Sequence, residues 1–474
     1  EAPWPEIEKL NQIVLKTNQL LKPRATLYPK YFADLETFST QEIASKLLQI
    51  TDSQSLIRSD QWKSGVSNTT PSYPEAILSS NIRSLIKDVE TNPSAMNVQS
   101  LLETSENEFQ YIVKYADEIK SQIHGSEISF VVNRNINYTN ICSFKCNFCA
   151  FSKGKGHDDL RGMPYNISEE EIIRRTKEAI DRGATEVCLQ GGIHPKFSGE
   201  TYLDIVRAIR SVSDSIHIHA FSPLEIDHGR KTLNISVKDF LIELKNVGLN
   251  SLPGTAAEIL HDDIRAIICP DKLNSNEWVE IIKAAHSVGL PTTSTMMFGH
   301  VENMSHVAHH LIRLLEIQNS TNGLTEFVPL PFVAEEAPIF RRGKSRPGPT
   351  FKETILVHSV ARILYNGSIN NIQGSWVKMG LPGLKYLLSS GINDIGGVLM
   401  NESITRSAGA SFGQELNLDD VLTIIDELGL NLKQRNTLYH SLTNDIQDLI
   451  NLQSIPLIPI INEYHQPKKI TTTV

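Results

Sequence analysis

The sequence predicts an α/β protein built on a (β/α) barrel, complete or partial, with a helical lead-in before it and a helical extension after it. Hydrophobic residues make up 40% and charged residues 21% of the 474 residues, which is typical of a globular protein with a sizeable core. From about residue 127, short apolar strands alternate with amphipathic helices, a pattern that indicates parallel strands joined by crossover helices. Polar and glycine-rich motifs follow the predicted strands, at the end where such barrels carry their chemistry.

The first 126 residues lack this strand–helix alternation. Between residues 77 and 123, apolar residues such as Ile82, Ile86, Phe109 and Ile112 recur at helical spacing. The stretch 64–74 is rich in Ser, Thr, Pro and Gly and predicts a linker or turn. We therefore expect four parts: the tail of a preceding domain with a linker (1–75), a helical lead-in (76–126), the barrel core (127–380) and a C-terminal extension (381–474).

The barrel elements are predicted from the period of their apolar residues. Ser168 and Glu171 form a capping-box pattern that begins a helix, and Gly183 ends it. The other helices are predicted at 202–209, 237–246, 277–288, 303–317 and 351–364. The strands are predicted at 128–132, 186–189, 216–220, 249–252, 292–297, 325–329 and 369–373.

Charge and cysteine content exclude several classes of function. Acidic residues exceed basic ones by 54 − 45 = 9, which argues against binding nucleic acid through phosphate contacts. No apolar run approaches the ~20 residues of a membrane span, so we expect no membrane partner. Five cysteines are too few for a disulfide scaffold, and we expect a reducing, cytoplasmic location. Because the chain begins with Glu1 rather than Met, we expect it to derive from something longer.

Three of the five cysteines, Cys142, Cys146 and Cys149, follow the first predicted barrel strand with the spacing C-x3-C-x2-C. A cubane iron–sulfur cluster takes four ligands, so three thiolates leave one iron open. The amino and carboxylate groups of S-adenosylmethionine can chelate that iron. The alternative is a structural zinc site completed by a residue such as His157. Phe148 has two possible roles: it packs against adenine, or it shields the cluster and fills core.

Further candidate residues follow later strands. Gln190, Gly191 and Gly192 form a turn in which the backbone can approach a ligand closely. After the next strand, His219 or Ser222 is placed to reach a ribose or a substrate. His300, which follows the 292–297 strand, is a substrate candidate at the barrel mouth.

The cysteine motif, with an aromatic residue before its third cysteine, resembles the radical S-adenosylmethionine (radical SAM) superfamily. Within it, the chain from about residue 80 to 420 is similar to the second half of FO (7,8-didemethyl-8-hydroxy-5-deazariboflavin) synthases. Residues 1–35 are similar to the tail of the first half in fused synthases. The motifs that carry this resemblance lie at 133–140, 149–151, 189–195, 217–223, 253–260 and 406–411.

The resemblance implies a transferase that couples the 4-hydroxybenzyl group of L-tyrosine to 5-amino-6-(D-ribitylamino)uracil. It implies a 4Fe–4S cluster with one open iron, S-adenosylmethionine, an electron donor and a first-half synthase domain as partner. It also implies that the Gln190–Gly192 turn receives the amino group of the cofactor, although Ile193 stands where many members have Glu. Glu258 becomes a cofactor candidate and Arg406 a substrate candidate.

Two other functions remain open from the sequence. An aminofutalosine synthase-like enzyme of menaquinone biosynthesis would share the cysteine motif, so only its substrates would distinguish it. A non-catalytic zinc or iron–sulfur module would differ in the metal that it binds. Metal analysis and substrate tests separate these three possibilities.

Overall fold

The computed structural model describes residues 6–16, 21–73, 80–152 and 163–460. The strands are β1 (Glu127–Val131), β2 (Asn133–Asn137), β3 (Glu186–Gln190), β4 (His217–Ala220), β5 (Thr292–Phe298), β6 (Leu324–Pro331), β7 (Asp394–Gly397) and β8 (Asn431–Gln434). A 3-10 helix spans Pro29–Asp34, and the α-helices before the barrel are α1 (Ile7–Lys16), α2 (Leu35–Phe38), α3 (Gln41–Ile50), α4 (Ser80–Thr91), α5 (Ala95–Leu102) and α6 (Glu106–His124).

The remaining helices connect and extend the barrel. They are α7 (Glu169–Asp181), α8 (Gly199–Arg210), α9 (Pro223–Leu233), α10 (Val237–Asn246), α11 (Asp262–Ile268), α12 (Ser275–Ser287), α13 (Met304–Thr321), α14 (Pro338–Arg341), α15 (Phe351–Leu364), α16 (Trp376–Leu388), α17 (Ile404–Ser407), α18 (Leu418–Glu427) and α19 (Ile446–Gln453). Several begin with capping boxes, which satisfy the free amides of the first turn, as at Asn274 and Thr350. Ser168 accepts from the amide of Glu171, which is one half of the predicted capping box, while the Glu171 carboxylate pairs with Arg174 and Arg175.

The parallel strands form a closed ring. β2 pairs with β3 and β3 with β4, while β5 pairs with β6 and β7 with β1. Isolated parallel bridges at Ser251, Leu252, Ile372 and Gln373 join these sheets to one another. The predicted barrel is therefore complete, and every strand directs its carboxyl end to the same face.

The strand that closes the ring, β7, lies after residue 380, where we predicted the core to end. Its sequence, Asp-Ile-Gly-Gly, is too short and glycine-rich to show a strand period, and only its pairing with β1 reveals it. The predicted strands 249–252 and 369–373 do not form continuous strands, and each contributes only two isolated bridge residues to the ring.

The opposite, amino-terminal end of the barrel is closed by side chains. β8 pairs with β1, and the chain that follows it runs beneath the barrel, where Arg435 bonds Asp394 of β7. Thr437 donates to Glu186 at the start of β3 over 2.7 Å, and Tyr439 donates to Glu326 of β6. Ligands therefore reach the barrel interior from the carboxyl-end face.

The segment just before the predicted linker is packed against the barrel. Trp62 is buried in the main core with its ring 5.4 Å from that of Phe351. Arg58 donates to the backbone carbonyls of Gly348 and Pro349 over 2.8 and 3.0 Å. These contacts involve residues distant in sequence, so composition alone gave no sign of them. Among the described residues, no helix combines the length and the apolar character that crossing a membrane requires.

Candidate active site

The three motif cysteines lie on the loop that follows β2, at the carboxyl end of the barrel, and line one cavity of about 270 Å³. Neighbouring loops hold this loop in place through backbone hydrogen bonds. The amide of Ser143 donates to Ile193 and that of Asn147 to Ile268, each over 2.8 Å. The fold therefore presents all three sulfur atoms to a common space.

The surroundings of the sulfur atoms suit a metal cluster. The amide of Ile193 donates to Cys142 Sγ over 3.3 Å. Burial raises the pKa of the Cys146 and Cys149 thiols, so their thiolates need a positive centre beside them. Within the described parts of the chain, no three His, Cys, Asp or Glu side chains are grouped to hold a single ion. His157, the residue suggested for a zinc site, lies outside the described residues.

The Gln190–Gly192 turn follows β3 and forms another wall of the cavity. A Cβ atom on Gly191 would lie 2.3 Å from the ring of Tyr138, and one on Gly192 would lie 2.4 Å from the carbonyl oxygen of Ile141. Glycine is therefore required at both positions by close packing against the strand and loop that carry the cysteines. The turn and the cysteine loop form one rigid unit.

The carboxylate of Glu225 stabilises this turn from below. It accepts hydrogen bonds from the amide of Gly191 over 3.2 Å, from the Ser222 hydroxyl over 2.5 Å, and from the Tyr138 hydroxyl. Burial raises its pKa, although these donors act in the opposite direction. Ser222 lines the cavity, but its hydroxyl already donates to the Glu225 carboxylate and accepts from the Glu225 amide as the N-cap of α9.

Two side chains that line the cavity, Lys272 and Glu258, form an ion pair. Lys272 Nζ lies 2.9 Å from the carboxylate of Glu258 and 5.1 Å from the centre of the Phe148 ring. Glu258 adopts a positive φ of 48°, and its carbonyl accepts from the amide of Met297 over 2.9 Å. Phe148 and Glu258, two of the predicted cofactor-binding residues, thus both line the cavity.

A second, polar cavity of about 240 Å³ extends into the barrel. The two cavities share the wall residues Gln190, Thr255, Thr295, Leu330, Lys378 and Ile404. Other polar side chains that line the inner cavity are uncharged Asn133, Asn135, His219, Thr293, Gln373, Ser375, Thr405 and Thr437, and charged Glu186, Glu326, Glu402 and Arg435. A ligand in the inner cavity would therefore lie directly below one held at the cysteines.

His219 lines the inner cavity rather than the cysteine cavity. Its Nδ1 atom lies 2.7 Å from Ser251 Oγ, which also bonds Nε2 of His217 over 2.7 Å. Burial lowers the pKa of both histidines, to about 4 for His217. Both rings are therefore neutral near pH 7, and His219 lies at the inner cavity and not among the residues that line the cysteine cavity.

Two residues predicted to bind the substrate, His300 and Arg406, line neither cavity. His300 is fully buried, with Nε2 3.1 Å from the carbonyl of Met297 and Nδ1 2.9 Å from Glu302. These contacts give it a structural role in the turn after β5. The side chain of Arg406 is exposed to solvent and lines neither cavity.

Two cationic wall residues were missed by the sequence analysis. Lys272 lies in the loop between α11 and α12, where no predicted strand end pointed to it. Lys378 follows the predicted strand 369–373 and is the one charged residue in the run 374–380. The rule that chemistry follows barrel strands would have identified Lys378.

The close packing of the glycine turn leads to a prediction. We expect Gly192→Ala to displace the cysteine loop, because its methyl group would lie 2.4 Å from the Ile141 carbonyl oxygen and 3.0 Å from Cys142 Cβ. The variant should lose most of its iron after anaerobic reconstitution, measured as iron per chain. Gly429→Ala is the control: its left-handed φ of 66° costs stability, but its methyl group meets nothing within 4 Å. Equal iron content in both variants would contradict the prediction.

Comparisons with known proteins agree with this geometry. Residues 136–314 match the radical SAM superfamily, and residues 321–447 match the CofH/MqnC C-terminal region. Among solved structures, methylornithine synthase has a TM-score of 0.56 at 16% identity, covering 78% of this chain and 99% of that one. The FeFe-hydrogenase maturase HydG from Carboxydothermus hydrogenoformans has a TM-score of 0.57 at 14% identity, covering 76% and 80%. The last two likenesses concern the fold alone.

The barrel and its cysteine cavity thus define a radical SAM enzyme, a class that uses a 4Fe–4S cluster and S-adenosylmethionine. A 5-amino-6-(D-ribitylamino)uracil–L-tyrosine 4-hydroxyphenyl transferase from Methanopyrus kandleri is 46% identical over 328 residues, covering 69% of this chain and 88% of that protein. The chain belongs to this transferase family. The relative of the same name from Methanocaldococcus jannaschii is 46% identical over 342 residues, covering 72% and 94%.

A longer relative matches over part of its length. The FO synthase of Mycobacterium leprae is 45% identical over 328 residues, which cover 69% of this chain. The matched region spans 38% of that synthase. The predicted family resemblance and fold class are confirmed by these matches.

Proposed function

We propose that this chain couples the 4-hydroxybenzyl group of L-tyrosine to 5-amino-6-(D-ribitylamino)uracil by radical SAM chemistry, in the synthesis of the deazaflavin FO. One observation carries the proposal: a three-cysteine cavity shares a wall with a second cavity, lined by amide and hydroxyl side chains, inside a closed barrel, in a chain that covers 88–94% of relatives named for this transfer. The aminofutalosine alternative is not favoured, because these relatives are named for the FO reaction.

Cys142, Cys146 and Cys149 would hold the cluster, and the backbone of the Gln190–Gly192 turn would receive the cofactor's amino group. When bound, the cluster and S-adenosylmethionine supply the one-electron cleavage that begins hydrogen abstraction. Phe148 and Glu258 face the same cavity and would bind the adenosyl part. Glu225 also lines this cavity, and its carboxylate accepts from the Gly191 amide, so it would hold the turn in place.

The inner cavity would hold the substrates. Its amide and hydroxyl side chains suit a uracil ring and a ribityl chain, which present many hydrogen-bond donors and acceptors. The Arg435 network closes the far end, so reactants are enclosed below the cofactor and separated from bulk water. Neutral His219 is placed to bond a substrate hydroxyl or carbonyl.

We further propose that the chain works with a first-half synthase domain, with residues 1–75 containing the tail of that domain. The part-length match to the M. leprae synthase supports this arrangement. An electron donor must reduce the cluster. A cytoplasmic location suits both the free thiols and the oxygen-sensitive chemistry.

The test is anaerobic incubation of the reconstituted chain with reductant, S-adenosylmethionine, L-tyrosine and the diaminouracil. We expect 5′-deoxyadenosine and a coupled product whose mass includes the tyrosine ring carbons, followed with ring-labelled tyrosine. Omitting either substrate should abolish the product. Formation of 5′-deoxyadenosine without coupled product, but with product from a futalosine-pathway precursor, would overturn the proposal.

A further inference from the structure

Lys378 lies where the two cavities meet and lines both of them. It belongs to the first turn of α16, directly after the ring position formed by Ile372 and Gln373. Its backbone is held on two sides: its amide donates to Ser375 over 3.1 Å, and its carbonyl accepts from Gly65 over 2.6 Å. The amine is therefore presented to the reaction space from a fixed backbone.

The amine of Lys378 has no bonding partner among the described residues. Lys378 Nζ makes no hydrogen bond or ion pair with any of them, although other partly buried lysines do, such as Lys272 with Glu258 and Lys352 with Thr104. The charged residue that most affects it is Glu402. That carboxylate already accepts from the amides of Thr405 over 2.7 Å and Arg406 over 3.3 Å.

Burial is unfavourable for an ammonium group, and the attraction of the Glu402 carboxylate offsets it only in part. It lowers the pKa of Lys378 to about 8, so the amine is still mostly protonated near pH 7. An anionic ligand beside the Lys378 amine would stabilise its charged form. The geometry thus calls for a carboxylate or similar anion at the boundary between cofactor and substrate.

We propose that Lys378 binds the carboxylate of the L-tyrosine substrate and so orients its amine toward the cofactor. The inference rests on the proposed function. Of the two substrates, only tyrosine carries an anionic group, since the diaminouracil with its ribityl chain is uncharged. The carboxylate of S-adenosylmethionine is committed to the open iron. Lys378 is the cation at the boundary of both cavities, whereas Lys272 on the same wall is already paired with Glu258.

The test compares L-tyrosine with tyramine, which is the same molecule without the carboxylate. Binding of each is measured by anaerobic calorimetry to the reconstituted enzyme with S-adenosylmethionine present. Lys378→Met should weaken L-tyrosine binding by about 10- to 100-fold, as expected for loss of a charge-assisted hydrogen bond. It should leave tyramine binding unchanged. Lys378→Arg should recover part of the lost affinity.

Lys352→Met is the matched control, because Lys352 is also partly buried but lines neither cavity. It should bind both ligands and cleave S-adenosylmethionine as the unmodified enzyme does. Iron per chain should be equal in all variants. Unchanged L-tyrosine binding in Lys378→Met would overturn the inference, as would equal losses for L-tyrosine and tyramine or a loss confined to the diaminouracil. Failure of the unmodified enzyme to form coupled product would instead overturn the proposed function.

Discussion

Replacing any one of Cys142, Cys146 or Cys149 by serine abolishes 5′-deoxyadenosine formation: this is the largest effect that we expect on activity. Each sulfur atom would bind a different iron of the cluster, so none can substitute for another. A serine hydroxyl is a harder, less acidic ligand that does not replace a thiolate on iron. The variants should remain folded, because all three cysteines are only partly buried.

The measurement is iron and sulfide per chain together with 5′-deoxyadenosine by chromatography. Cys188→Ser is the matched control, since Cys188 is another partly buried free cysteine but lies on β3 and lines the inner cavity. It should keep its full iron content. A motif variant that retains cluster and cleavage would contradict the assignment of the three cysteines.

The largest effect on stability is expected at the closed end of the barrel, for Arg435→Met. Arg435 donates to both oxygens of Asp394 over 2.5 and 2.9 Å and lies 3.5 Å from Glu326, and all three side chains are buried. Removing the cation leaves two carboxyl groups in the barrel without a counter-charge. Breaking a buried pair in this way costs about 3–5 kcal/mol of unfolding free energy.

The pH dependence of this loss has a defined sign. Burial already raises the pKa of Glu326 from 4.5 to about 7, while Arg435 acts to lower it. Without Arg435 that pKa rises further, so the variant loses additional stability as the pH increases through and above 7. Below about pH 4.5 the Glu326 carboxyl is protonated in both folded and unfolded chains and contributes no difference.

Denaturant unfolding at pH 6 and pH 8 measures both effects. Lys433→Met, two residues earlier on β8, is the control because Lys433 pairs with Glu127 on the surface. An exposed pair of this kind contributes about 0–1 kcal/mol. Equal unfolding free energies for the two variants would contradict the role of Arg435 at the closed end of the barrel. So would a loss of unfolding free energy in Arg435→Met that becomes smaller as the pH rises.

The sequence predicted those parts of the site that are local along the chain. The cysteine spacing and the Gly191–Gly192 turn each act within a few residues, and both line the cavity. Ser222 lines it too, but its role as the N-cap of α9 was not predicted. His300 also follows a strand, yet its ring turns into the core toward Met297 and Glu302. Position at a strand end therefore indicated the neighbourhood of the site but not the direction of a side chain.

The sequence by itself determined the class of the protein, because a metal-binding motif and a strand–helix alternation are written in short-range patterns. Only the tertiary structure showed that β7 closes the ring and that Arg435 seals its base. It also revealed that Lys378 lines both cavities and has no bonding partner in the part of the chain that the structure describes. These features depend on contacts between residues far apart in the chain. Burial and the pairing of charges arise only when the chain is packed, so no local pattern encodes them.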